Sequence, residues 1–383
     1  MKKNSVRWAG VCILALAMAV ALWPYFARAA QPDLGLSTLG SETLRARVTG
    51  IVEEGEIDLG GRMQHYQVAQ VELLEGEYPG LEMQIDYGKR QVRADDYRLR
   101  PGDLVIVSVS RTPENVLNAY FVDFVRAGPL LLLTAIFAGS ILLISRWKGL
   151  RSLLSLAFSL FVIIAYIIPH ILAGEDPVAV SLMGSIVLLG VTLYLTYGWT
   201  LKTHAAVISM AMVLLLTGLL AALFVTITRL NGTGDENVMF LMQELQTPIN
   251  LRGLLLGGMI IGALGVLDDL VMTQASAVLE LRAANRDLGF RGLFQAAMRI
   301  GQDHVSATVN TLVLAYAGAS LPLFLMFSLA RGDYTYLVNF SFIAEEIVRT
   351  LVGSVGLVAA VPLSTAVSAA LVLRDDRAAL RAG

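Results

Sequence analysis

The sequence is poor in the groups on which most enzyme chemistry relies. It has one cysteine, Cys12, inside its first apolar segment. That excludes a disulfide framework and a cysteine metal site. Its four histidines, His65, His170, His204 and His304, show no HExxH spacing, so a zinc hydrolase has no basis. There is no GxSxG step, no Walker A loop, and no HExxH or GxGD pair within an apolar span. Neither a nucleophile with its base nor a nucleotide cradle is in view, and ATP hydrolysis would belong to another subunit. Charge is scarce as well, at 16% of residues, where soluble domains carry about a quarter. The net charge of -2 gives no attraction for nucleic acid. No enzymatic activity, cofactor or metal is expected.

What the chain has instead is apolar length. Hydrophobic residues make up 56% of its 383 positions, the composition of an integral membrane protein. Lys2, Lys3 and Arg7 precede an apolar run, 9–22, and Ala27-Arg28-Ala29 follows. Residues 1–30 therefore read as a secretory signal cleaved after Ala29, or as an uncleaved signal anchor. Both deliver the next segment outside the membrane.

Residues 31–126 differ in kind. Short β-like runs at 44–52, 64–74, 81–87, 103–109 and 117–125 alternate with turn signals at Gly60-Gly61, Tyr78-Pro79-Gly80 and Pro101-Gly102. Strands at this spacing predict a small all-β extracytoplasmic domain, with an OB-like barrel preferred. Apolar segments long enough to cross about 30 Å of hydrocarbon follow. They fall at 127–145, 152–173, 177–198, 203–227, 253–281, 305–330 and 347–373, seven spans in all, with a tail at 374–383. The fold class is thus a polytopic α-helical membrane protein carrying an outer β domain.

Charge orients the spans. The loops predicted to face inward hold Arg146, Lys148 and Arg151, then Lys202, then Arg282, Arg286, Arg291 and Arg299, and the tail adds Arg374, Arg377 and Arg381. The outward loops hold Glu175 and Asp176, Asp235, Glu236 and Glu244, and Asp333, Glu345 and Glu346, with Arg229, Arg252, Arg331 and Arg349 on the same side. The basic excess places the C-terminus in the cytoplasm. Two loops, 234–246 and 290–300, have apolar residues at helical spacing and read as helices lying along the interface.

One stretch stands out, from Gly257 to Gly318. On the helix beginning near Gly253, residues Gly258, Gly262, Gly265, Asp269, Thr273, Ser276 and Glu280 share a face. Small residues there admit another helix, and Gly258-x-x-x-Gly262 is a GxxxG step. Asp268 lies about 100° round from Asp269, so the two acids face different partners. The next span presents His304, Thr308 and Thr311 on one face, with Asp303, Ser306 and Asn310 on the adjacent one. Asp268 and Asp269 admit three readings: a protonatable relay, ligands of a hard cation together with Asn310 and hydroxyls, or a structural pair. Ionisable groups at membrane depth cost several kcal/mol and mark function by default. Asp268, Asp269, Asn310, Thr273, Asp303, His304 and Glu280 are therefore the candidate ion or proton pathway. The same two readings, functional and structural, stay open for Glu280, Asp303 and His304 near the cytoplasmic interface.

At GALGVLDDLVMTQASAVLEL (262–281) and RIGQDHVSATVNTLVLAYAGASLPL (299–323) the chain resembles the YibE/F-like family of bacterial membrane proteins. Similarity extends through DFVRAGPLL (123–131), KGLRSLLSL (148–156) and LRGLLLGGMIIGALG (251–265), and the outer segment from ARVTGIVEEG to VAQVELLEG (46–76) looks like the family's N-terminal portion. Two departures are Gly301-Gln302-Asp303, where a GRD-type step is usual, and the double acid where one is common. The resemblance implies the bacterial cytoplasmic membrane and names no substrate. A narrower likeness, confined to the acidic helix and its successor, is to the proton-conducting core of RND permeases and SecD/SecF. It implies acids that carry protons to drive an outer domain. The expected function is a proton- or ion-coupled permease or translocation-accessory protein. The alternative is a non-transporting scaffold whose β domain binds an envelope partner. The lipid bilayer, a proton or small cation and that envelope protein are the expected partners, with homo-oligomerisation left open.

Overall fold

The computed structural model describes residues 41–61, 63–90, 92, 97–111, 117–244, 249–329 and 334–382. The segment 1–30 and its cleavage site lie outside these residues. The described residues divide into two compact units, one ending at Leu143 and the other beginning at Ile144.

The first unit is built on one antiparallel sheet of five strands in the order β3-β2-β1-β4-β5. They are β1 (Ser41–Asp58), β2 (Met63–Leu73), β3 (Glu82–Tyr87), β4 (Leu104–Arg111) and β5 (Leu117–Phe124), close to the five runs expected. Alternation explains them: Leu44, Ala46 and Val48, then Ala69, Val71 and Leu73, then Val105 and Val107 point to one buried face. β1 is long enough to serve two partners, pairing β4 through 41–47 and β2 through 46–58. Register shifts between Val48 and Gly50 and between Ile51 and Glu53 bend it. Gly60 and Gly61, at φ +67 and +85, make the turn into β2, and Gly61 N–H donates to Asp58 Oδ1 at 2.8 Å. The outermost strands come together: the Tyr87 ring of β3 packs edge-on against Phe121 of β5, with centroids 4.8 Å apart.

Gln67 is the one polar side chain of this unit's core among the described residues. Its Oε1 accepts from Leu99 N–H at 2.7 Å, and its Nε2 donates to Leu99 C=O and Glu54 Oε2, both at 3.3 Å. A Gln67→Leu substitution leaves both buried Leu99 groups unpaired. We expect it to destabilise the unit by about 2–3 kcal/mol. Loss of hydrogen-exchange protection at the Leu99 amide is the measurement, and unchanged protection contradicts the clamp.

The helical part begins with α1 (Ala127–Val162), whose backbone leaves helical geometry at Arg146 (φ 46, ψ -120). A π-helical stretch, Ile163–Ile167, and a short helix, α2 (Ile168–Leu172), continue it. Pro169 has no N–H for the carbonyl four residues before it, and the backbone widens over that turn. Next come α3 (Pro177–Tyr197), α4 (Leu201–Ile227), α5 (Glu236–Glu244), α6 (Leu251–Ala284), α7 (Phe290–Ala319), α8 (Leu321–Leu329), α9 (Tyr334–Leu337) and α10 (Ser341–Ala382). Side-chain caps start three of them: Asp176 accepts from Ala179 N–H, Thr200 from Thr203 N–H and Asn250 from Gly253 N–H.

Five helical stretches among the described residues are long and apolar enough to cross a membrane: Ala127–Leu172, Pro177–Tyr197, Leu201–Ile227, Leu251–Ala284 and Ser341–Arg377. Three departures from the expected spans have physical causes. Spans 127–145 and 152–173 follow one another with no loop between them, as one apolar stretch of 46 residues kinked at Arg146. Span 305–330 is not one helix, because α7 ends at Ala319 and α8 begins at Leu321; residue 330 lies outside the described residues. The expected interfacial helix 290–300 is the opening of α7 itself. Gly301, just past that segment, marks a close crossing: a methyl group at that position would overlap Val361 Cγ1 and the Gln274 amide. The other interfacial segment forms α5, and its last residues, 245–246, lie outside the described ones.

α6 is the hub, touching α3, α4, α7 and α10. Its Leu267, Leu270, Val271 and Ala275 pack with Leu193 of α3, Val213 of α4, and Leu357 and Ala360 of α10. Gly257 lets Ser181 of α3 approach, and Gly356 of α10 does the same for Thr217 of α4. At one end of the bundle Arg282 Nε donates to Asp376 Oδ2 at 2.7 Å and Nη1 to Leu288 C=O at 2.9 Å. At the other, buried Glu345 accepts from Gly234 N–H at 3.1 Å. The last turns of α6 and α10 therefore lie together, as do the 234 loop and the start of α10.

Candidate functional site: two adjacent acids on α6

Asp268 and Asp269 stand at the middle of α6. The helix turns them in different directions, as their 100° separation requires. Asp268 is half-buried and lines a cavity of about 320 Å³ between α1, α3, α4 and α6. Its Oδ1 is buried without a hydrogen-bond partner among the described residues. α1 contributes Ser152, Ser155 and Ser159 to this cavity, and α3 contributes Thr192, Thr196 and Tyr197. Three of these six hydroxyls donate to the backbone: Ser155 Oγ to Thr192 C=O at 3.4 Å, Ser159 Oγ to Ser155 C=O at 3.0 Å, and Thr192 Oγ1 to Leu188 C=O at 2.7 Å.

Asp269 points away, its side chain 82% exposed. Its Oδ2 stands 4.0 Å from Nε2 of His304 on α7, within ion-pair reach and too long for a hydrogen bond. That Nε2 is itself buried without a hydrogen-bond partner among the described residues. Thr273 Oγ1, one turn along α6, lies 3.5 Å from Asp269 Oδ1. The structure thus brings Asp269, Thr273 and His304 together.

It does not bring the remaining candidates to them. Asp303 and Asn310 are exposed on α7, and Glu280 is exposed near the end of α6. Asn310 does not line the Asp268 cavity. At Gly258, Gly262 and Gly265 nothing stands within 4 Å of where a Cβ would be. Gly258 and Gly262 border a small crevice with Leu312, Tyr316, Arg349 and Gly353. Helix contact within the chain runs instead through Gly253 and Gly257, on a neighbouring face.

Sequence reading did not single out Ser152, Ser155 and Ser159, nor Thr192 and Thr196. A signal was present, since both sets recur at three- and four-residue steps in apolar helices. Gln274 was missed too. Buried at 2% exposure, it donates to Ala297 C=O at 2.8 Å and Thr365 Oγ1 at 2.7 Å, tying α6 to α7 and α10. Among the described residues no cluster of three or more His, Cys, Asp or Glu could hold a metal ion.

Five long apolar helical stretches among the described residues mark a multi-pass helical membrane protein. The chain belongs to the YibE/F-like family, whose model matches residues 133–374. The match begins within α1, so the five-stranded sheet lies outside it. No curated protein and no solved structure matches the chain.

Proposed function

We propose that this YibE/F-like protein is a proton- or ion-coupled permease or translocation-accessory protein of the bacterial cytoplasmic membrane. The observation that carries the reading is the division at the middle of α6: one carboxylate faces a hydroxyl-lined cavity, and its neighbour faces a histidine. Charged side chains within apolar helices are expensive, and two acids with separate surroundings suit two linked steps better than one structural pair. In this reading Asp269, His304 and Thr273 pass the proton, and Asp268 faces the transported species. Asp303, Asn310 and Glu280 lie further along the same route.

The topology follows with it. The 46-residue stretch crosses twice, bending at Arg146, and α7 with α8 supplies a further crossing, for seven spans. Residues 31–126 are outside as an OB-like barrel, 127–373 form the membrane domain, and 374–383 are cytoplasmic. The Arg282–Asp376 pair and the Glu345–Gly234 contact support the alternation, since each joins segments assigned to the same side. The experiment is gradient-driven proton flux in liposomes, wild type against acid-neutralised protein.

The lane from Gly258 to Thr273 is, in this reading, the contact with a second copy of the chain. Its glycines admit close approach, and a carboxylate so exposed on a membrane helix needs polar cover, which a two-fold contact supplies from the same lane. A cysteine introduced by Gly262→Cys should cross-link between copies, and Cys12 is replaced first to exclude it. Absence of cross-linking in membranes contradicts the dimer. The scaffold reading rests on Tyr120 and Val122, which alternate outward from β5 with 44% and 50% exposure. It predicts no flux and full tolerance of neutral acids.

A further inference from the structure

We infer that the Asp268 cavity binds a small organic ammonium ion, with the amine head at the carboxylate and the apolar body along the α4 and α6 wall. The inference deepens the permease reading by giving its substrate a chemical class, and its binding arm stands without any transport.

Charge comes first. Asp268 is the one carboxylate lining the cavity, and no Lys, Arg or His lines it among the described residues. An anion is therefore repelled. A divalent ion is poorly served, because hard divalent cations gather six or more oxygens with several carboxylates. Hydrogen-bond polarity comes next. The hydroxyls of Ser155, Ser159 and Thr192 each have one proton, already directed to a carbonyl. Their remaining lone pairs are acceptors. With the unpartnered Asp268 Oδ1 they make an accepting surface, which a three-donor ammonium head matches.

Shape separates an organic ammonium from a bare alkali ion. The opposite wall is apolar, formed by Met210, Ile261 and Leu264. A volume of about 320 Å³ holds roughly ten water-sized groups. A sodium ion leaves most of that wall unused, whereas a compact hydrocarbon body covers it.

The test is calorimetric titration of the full chain in nanodiscs with benzylammonium, benzyl alcohol and sodium chloride. The expected result is saturable binding of benzylammonium, none of the neutral alcohol, and no competition by sodium. Asp268→Asn should weaken benzylammonium on the order of a hundredfold, as loss of one partner of a buried charge pair does. Ser155→Ala with Ser159→Ala should weaken it less. Equal binding of the alcohol, displacement by sodium, or no benzylammonium binding to folded wild type would each overturn the inference. The wild-type comparison holds even if Asp268→Asn fails to fold. Binding without proton flux would sink the permease reading alone, and flux without binding would sink the ammonium assignment alone.

Discussion

Gly301→Val is expected to lose most of the folded protein. Gly301 stands where α7 crosses α6 and α10, against Val361 Cγ1 and both heteroatoms of the Gln274 amide. Gln274 is committed there, since it bonds Ala297 C=O and Thr365 Oγ1 with nearly no exposure. A valine side chain either forces the helices apart or displaces that amide. Overpacking alone costs about 1–3 kcal/mol, and an unpaired buried amide adds roughly 1–3 kcal/mol more. Gly301→Ala should fall between wild type and valine. The yield of monodisperse protein after mild detergent extraction, with its thermal midpoint, reads the effect. Wild-type yield and midpoint for Gly301→Val would mean that α7 does not cross at this residue.

Asp269→Asn should have the opposite profile, with an unaltered fold and abolished proton flux. The carboxylate supports little structure: one contact at 4.0 Å and one at 3.5 Å, on a side chain left 82% exposed. Neutralising a charge on an apolar helix lowers its insertion cost, so expression and melting should match or exceed wild type. His304→Gln removes the other half of the same step. If the two act as a unit, each single variant loses as much flux as the double, a large departure from additivity. A misfolded Asp269→Asn protein would make the acid structural. Partial, additive losses would separate the two residues.

How far the sequence spoke for itself varies from element to element. The β strands were legible because their burial period is two, and Ala46, Val48, Ala69 and Val71 keep it without interruption. The start of α6 was legible within two residues of Gly253, where Asn250 caps it. The different directions of Asp268 and Asp269 followed from helix geometry alone. The cavity was not legible. Ser155 of α1 meets Thr192 of α3 through the relative shift of two apolar helices, and no local pattern encodes that shift. Periodicity also cannot rank neighbouring glycine faces. Gly258 and Gly262 make the more conspicuous motif, yet the chain packs through Gly257, where Ser181 arrives from α3. Asn310 looked like a partner of the acids by residue type, but the rotation of α7 leaves it exposed. The merging of 290–300 into α7 has the same origin, because Gly301 breaks a helix or seats a crossing according to what lies opposite.

Coupling through the two acids is the central claim, and proton flux tests it most directly. Purified protein in liposomes, carrying an imposed pH gradient and an interior pH dye, should dissipate the gradient faster than empty liposomes. The Asp268→Asn/Asp269→Asn protein, reconstituted at equal density and equally folded, should not. Equal flux through wild type and the double variant, or none through well-folded wild type, would contradict a proton path through α6 and favour the scaffold.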